Sequence, residues 1–212
     1  MFQDKKYIEE VLTALAEQLK AEGINHMELL VCGGTALMVL AFERKLDTRI
    51  SSYLMTRTTT DVDIVAFVEK TDTGKPNLIK AAPLPTPLLR AAAKVKKDFS
   101  NLAENWLNNG PASVMDFGLP EGLMARVETR RYGTNLVVHF LGRVDQIHFK
   151  LYAAVDQSGG KHYDDLMALN PTAQEIEQAA RWSMTHDVSP GYKEGLKKIM
   201  TKMGFTNVAD NL

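Results

Sequence analysis

The chain has 212 residues, 25 Lys+Arg against 26 Asp+Glu, a formal charge of −1 and 45% hydrophobic residues. That balance excludes a disordered or fibrous chain and a strongly basic nucleic-acid coat, and the length accommodates one domain with an appendage or two small ones. The single cysteine, Cys32, cannot close an internal disulfide, so a reducing cytoplasm is the expected compartment. Charges interrupt every apolar run of the first twenty residues, and no stretch approaches the ~18–20 apolar residues of a membrane span. No membrane partner is expected.

Ile8, Val11, Leu12, Leu15 and Leu19 recur at helical spacing, predicting an amphipathic helix that begins near Asp4 and ends at Gly23. Glu28 to Val31 reads as a short strand, Gly33-Gly34 as a turn, and Thr35 to Glu43 as a helix. Residues 45–60 are polar and rich in Thr and Ser, which reads as a loop or irregular insertion. DVDIVAFV places Asp61 and Asp63 on one face of a second strand, before continuous apolar residues bury it on both sides. Residues 70–86 read as a long polar connection, with Thr86-Pro87 as N-cap and first-turn proline of a helix reaching about Asn101.

Two strands at about 123–131 and 135–141 flank Gly133 as a hairpin. Helices follow at about 144–155, 161–168, 173–185 and 190–203, the third opened by the capping box Thr172-x-x-Glu175. The expected fold is α/β (α+β), a small mixed sheet flanked by helices with a C-terminal helical bundle. The seam is placed at Asn170-Pro171, giving a domain over 1–170 and an extension over 171–212 that is either separate or part of the same domain.

The chemistry is carried by Gly33-Gly34-Thr35 after one strand and Arg57-x-Thr59-x-Asp61-x-Asp63 entering the next. Adjacent glycines let a polyanion approach the backbone, and the N–H groups at the start of a helix favour phosphate. Two carboxylates on one strand face, about 6–7 Å apart, repel unless a cation lies between them. Mg²⁺, or Mn²⁺ in its place, is the natural ion, held by a few carboxylates together with substrate phosphates. Thr35 is an N-cap or a phosphate contact, and Arg57 is a phosphate contact or a solvated loop residue. With 13 aspartates, chance alone yields about one D-x-D pair, so only the conjunction carries information.

That conjunction resembles the nucleotidyltransferase superfamily related to DNA polymerase β. GGTAL (33–37) with RTTTDVD (57–63) is similar to the branch of AbiE-type toxins, and AENWLN (103–108), DQIHFKLYAA (145–154) and KHYDDLMAL (161–169) extend the likeness over most of residues 28–180. The resemblance implies a nucleotidyltransferase fold and Mg-dependent transfer of a nucleoside monophosphate from a nucleoside triphosphate to a hydroxyl. The acceptor it implies is RNA, in a toxin–antitoxin or phage-defence setting with a cognate toxin or antitoxin. The metal ligands would be Asp61 and Asp63, with Gly33, Gly34, Thr35 and Arg57 on the nucleotide. Lys150 and Asp165 match a lysine and an aspartate that accompany the pair, while His162 stands where a carboxylate is usual. A third carboxylate is commonly drawn from a neighbouring strand, for which Glu128 is the first candidate and Asp145 the second.

Two further points bear on acceptor and chemistry. Lys94, Lys96 and Lys97, with Arg126, Arg130 and Arg131, form either an acceptor patch or a solvated face. The five histidines show no ligand spacing, Trp106 reads as a core anchor, and a non-catalytic binding module or antitoxin on the same fold is the alternative reading. A DNA-binding regulator finds little support in the near-neutral charge.

Overall fold

A computed structural model describes residues 4–42, 59–71, 74–157 and 160–212. It is an α/β protein, with a mixed six-stranded sheet followed by a helical region. Helix α1 (Lys5–Ala21) starts where Asp4 accepts a hydrogen bond from the Tyr7 N–H and stops before Gly23, whose φ is +83°. Strand β1 (Met27–Cys32) leads directly into α2 (Gly33–Phe42). α2 is apolar on nearly every side, as a helix enclosed by protein must be.

Strand β2 (Val62–Lys70) pairs antiparallel with β1, aligning Asp63 with Cys32, and a register shift interrupts the ladder between Leu30 and Val31. The polar connection expected after it contains a strand, β3 (Pro76–Lys80), antiparallel to β2 at the sheet edge. An edge strand opened by proline is compatible with sheet structure because its outer N–H groups need no ladder partner. Helix α3 (Thr86–Asp98) takes Pro85 as N-cap, so Thr86 already lies in the helix and caps nothing with its side chain.

Two-residue β4 (Leu107–Asn108) pairs parallel with the start of β2, aligning Asn108 with Asp63. The hairpin forms as β5 (Glu128–Tyr132) and β6 (Leu136–Phe140), the first arm shorter than expected because Leu123–Ala125 is a turn of 3₁₀ helix. β6 runs parallel to β1, which gives the order β3-β2-β1-β6-β5. Helices α4 (Arg143–Asp156), α5 (Lys161–Ala168), α6 (Ala173–His186), α7 (Pro190–Lys202) and α8 (Thr206–Asp210) complete the chain. The capping box of Thr172 and Glu175 opens α6. No helix among the described residues is long and apolar enough to cross a membrane.

Alternation along the strands separates two faces. Leu29, Val31, Val138 and Phe140 pack with Ile8, Leu12 and Leu15 of α1 and with Leu88 and Val95 of α3. Leu30, Cys32 and Val65 pack on the other face with Val114, Leu141 and Phe149. A third cluster joins Leu37 and Leu40 of α2 to Ile147 and Leu151 of α4 and to Leu166, Ile176, Leu196 and Met200. Residues beyond Pro171 therefore share a core with α2 and α4. Trp106 anchors the first cluster, fully enclosed, with its indole N–H donated to the Ala92 carbonyl.

Candidate functional site

The ends of β1 and β2 carrying Cys32 and Asp63 open on a cleft of about 500 Å³. The sheet and the start of α2 contribute Gly33, Gly34, Thr59, Asp61 and Asp63, and α4 contributes Gln146, Phe149 and Lys150. Lys161 and His162 of α5 stand at the same cleft, opposite Gly110, Pro111 and Ser113 of the 3₁₀ helix Gly110–Phe117.

Asp61 is fixed through its backbone and side chain. The Thr35 hydroxyl donates to its carbonyl at 2.7 Å, and the Thr59 hydroxyl donates to its carboxylate at 3.3 Å. Thr35 is fully buried inside α2 and is not among the residues lining the cleft; its hydroxyl positions Asp61. Asp63 lies in β2, and the Asn108 side chain hydrogen-bonds its carboxylate. Burial raises its carboxyl above the usual aspartate range, Asp61 adds to the rise, and Asn108, Lys150 and Lys161 act against it. Cys32 lies beside it, and burial together with Asp63 pushes the thiol well up. A thiol so protonated is no nucleophile.

The two glycines have a packing reason as well as a functional one. Gly33 sits at φ +75°, and a Cβ there would collide with the Asp63 carboxylate. A Cβ on Gly34 would come within 2.6 Å of the Thr59 hydroxyl. The glycines thus make room for the side chains that build the site.

Lys150 and Asp165 are brought together, with Nζ 2.9 Å from the carboxylate, and Asp165 has no exposure at all. The pair joins α4 to α5; Lys150 lines the cleft and Asp165 does not. Glu128 is placed elsewhere. β1 and β6 stand between its strand and β2, about 14 Å at the usual spacing, and its carboxylate faces Arg130 at 3.5 Å. The expectation that its strand adjoins that of Asp61 and Asp63 is corrected by the sheet order. Asp145 lies in the first turn of α4, whose N-cap is Gly142, and is bound by Arg126 through two hydrogen bonds of 3.0 and 2.6 Å. Among the described residues no third His, Cys, Asp or Glu joins Asp61 and Asp63 in a metal-holding group. Arg57 and residues 45–58 of the expected loop or insertion lie outside the described residues.

The donor set present, two carboxylates with hard oxygen atoms, fits a cation that completes its shell with phosphate and water. Burial first, and the Asp61 charge second, raise the Asp63 carboxyl, a shift that a bound cation would offset. Sequence reading did not find Gln146, Asn108 or Lys161, whose signal is only their convergence in space. The candidate basic patch is largely engaged within the molecule. Lys94 pairs with Glu22, Lys96 with Glu104 and Arg126 with Asp145, and α3 packs on the sheet face opposite Phe149.

No family model matches the chain, and neither a curated protein nor a solved structure matches it.

Proposed function

We propose that the protein is a nucleotidyltransferase of the DNA polymerase β-like fold, moving a nucleoside monophosphate from a nucleoside triphosphate to a hydroxyl acceptor with Mg²⁺ or Mn²⁺. The observation that carries this reading is the pairing of Asp61 and Asp63 at the mouth of β2, in one cleft with the Gly33-Gly34 helix start and with Lys150 and Lys161. Asp61 and Asp63 would hold the cation, which when bound supplies charge neutralisation for the phosphate oxygens. The backbone at Gly33-Gly34 and the ammonium groups of Lys150 and Lys161 bind and orient the triphosphate. The acceptor oxygen bonds to the α-phosphorus, the bond from that phosphorus to the bridging oxygen breaks, pyrophosphate leaves and the hydroxyl proton passes to solvent. Catalysis is positioning and electrostatics, with no covalent nucleophile from the chain. The resemblance read in the sequence favours an RNA hydroxyl as acceptor and a toxin–antitoxin or phage-defence setting with a cognate protein.

The test is transfer of label from α-³²P nucleoside triphosphates to total RNA with Mg²⁺. The parent protein labels an RNA band, and Asp63→Ala loses at least about 100-fold in rate with its melting temperature maintained. Transfer at the parental rate by pure Asp63→Ala removes the site assignment.

A second reading, a nucleotide-binding module without turnover, is favoured by one observation: Glu128 and Asp145 both lie on partners away from the aspartate pair. Calorimetry with the four triphosphates separates the two. Mg-dependent binding without label transfer supports the module.

A further inference from the structure

Gln146 is fully enclosed yet lines the cleft, in the first half of α4 and one helical turn before Lys150. Among the described residues its amide makes one hydrogen bond: Nε2 donates to the Gly33 carbonyl at 3.4 Å, a long hydrogen bond. Oε1 is buried and has no hydrogen-bond partner among the described residues. The orientation follows from chemistry, since the Gly33 carbonyl only accepts and must face the NH₂ end. A buried amide oxygen left without a donor destabilises the folded chain, and a leucine of similar size would not. Such a group is explained most directly by a ligand that supplies the missing donor.

The position identifies the donor. Gly33, to which Gln146 is tied, packs against the carboxylate of Asp63, and Lys150 projects from the same face of α4. Around a triphosphate held there, every phosphate oxygen is an acceptor, and of the nucleotide's own donors the sugar hydroxyls lie nearest the phosphates. Resting on the reading of this cleft as a nucleotide site, we propose that Gln146 Oε1 accepts a hydrogen bond from a sugar hydroxyl of the bound nucleotide. Gln146 thereby selects ribonucleotides over the deoxy analogue that lacks that hydroxyl. A site built to pair a hydroxyl rejects the analogue lacking it because its own polar group is then stranded.

The experiment is calorimetry with Mg²⁺ on the full chain, using whichever of ATP, CTP, GTP and UTP binds tightest together with its 2′-deoxy and 3′-deoxy analogues. The parent should bind the ribonucleotide about tenfold more tightly than one of the analogues, which names the hydroxyl. Gln146→Leu should lower ribonucleotide affinity to that of the analogue, leave the analogue's affinity unchanged and raise the melting temperature. Gln146→Met serves as the second variant. A discrimination ratio unchanged in both variants overturns the inference while nucleotide binding, lost in Asp63→Ala, keeps the parent reading. A variant that melts lower with discrimination intact assigns the amide a purely structural role. Absence of binding by all four triphosphates removes the inference and the parent reading together.

Discussion

Two groups of buried charge on the same sheet are treated in opposite ways. At the end of β1 away from the cleft, Glu28 receives hydrogen bonds of 2.8 Å from both His26 and His139, and His139 is in turn 2.9 Å from the Thr129 hydroxyl. Burial would raise the Glu28 carboxyl, but the two histidines outweigh it and hold it below the usual glutamate range. At the other end of β1, burial and Asp61 leave the Asp63 carboxyl above its usual range. One carboxylate stabilises the fold as it stands. The other works against it, which accords with the cation-binding role proposed for it.

The comparison can be broken most forcefully at the buried ion pair beside the cleft. Lys150→Met leaves Asp165 buried without its ammonium partner and should cost about 3–5 kcal/mol in urea unfolding. The double variant Lys150→Met/Asp165→Leu should recover most of that stability, because an apolar pair of similar volume replaces two buried charges. If transfer returns together with stability, Lys150 only joins helices and has no role at the phosphate. If stability returns and transfer does not, the lysine serves the cleft as well.

A smaller effect is expected at the satisfied cluster. Glu28→Gln should cost about 2 kcal/mol near neutral pH, the worth of hydrogen bonds to a charged acceptor. The depressed carboxyl gives a sign: its contribution is present above the ordinary glutamate range and is lost as pH falls through the lowered folded value. Acid titrations of melting temperature should therefore converge for parent and variant at low pH. Curves that stay parallel throughout would show that Glu28 gains nothing from its histidines.

The smallest effect has the opposite sign. Asp63 has a raised carboxyl, so its contribution favours the folded state at low pH and is lost as pH rises through the raised value. Asp63→Asn should melt about 2–4 °C higher than the parent at neutral pH, corresponding to roughly 1 kcal/mol. Mg²⁺ should raise the melting temperature of the parent and leave the variant unchanged. A variant that melts lower, or that still responds to Mg²⁺, erases the contrast between the two ends of the strand.

What sequence could reveal follows from the range of the interactions. The four helices from Arg143 to Lys202, the Asp4 cap and the Thr172 box are local patterns and are read from neighbours in the chain, while the short Thr206–Asp210 helix was not. β3 was hidden because proline and an exposed edge weaken the strand pattern in Pro76–Lys80. The Gly33-Gly34 and Asp61-x-Asp63 elements, far apart in the chain, line one cleft. Strand order was not legible, and it alone decides that Glu128 stands apart from the aspartates and that Asn108 stands beside them. Gln146 carries no motif; its distinction is an amide oxygen buried without a donor, visible only once α4 is laid against Gly33.

The collision that any side chain at Gly33 would make with Asp63 has an evolutionary consequence. While the aspartate is present, folding alone forbids most replacements of the glycine, whether or not a nucleotide is ever bound. Losing the carboxylate removes the collision, yet the glycine stays constrained by its φ of +75°, so it should outlast the aspartate wherever selection on the cleft is relaxed. Descendants with the glycine and no aspartate should be common, and those with the aspartate and no glycine should be rare. The order of decay of the motif is thus written into its packing.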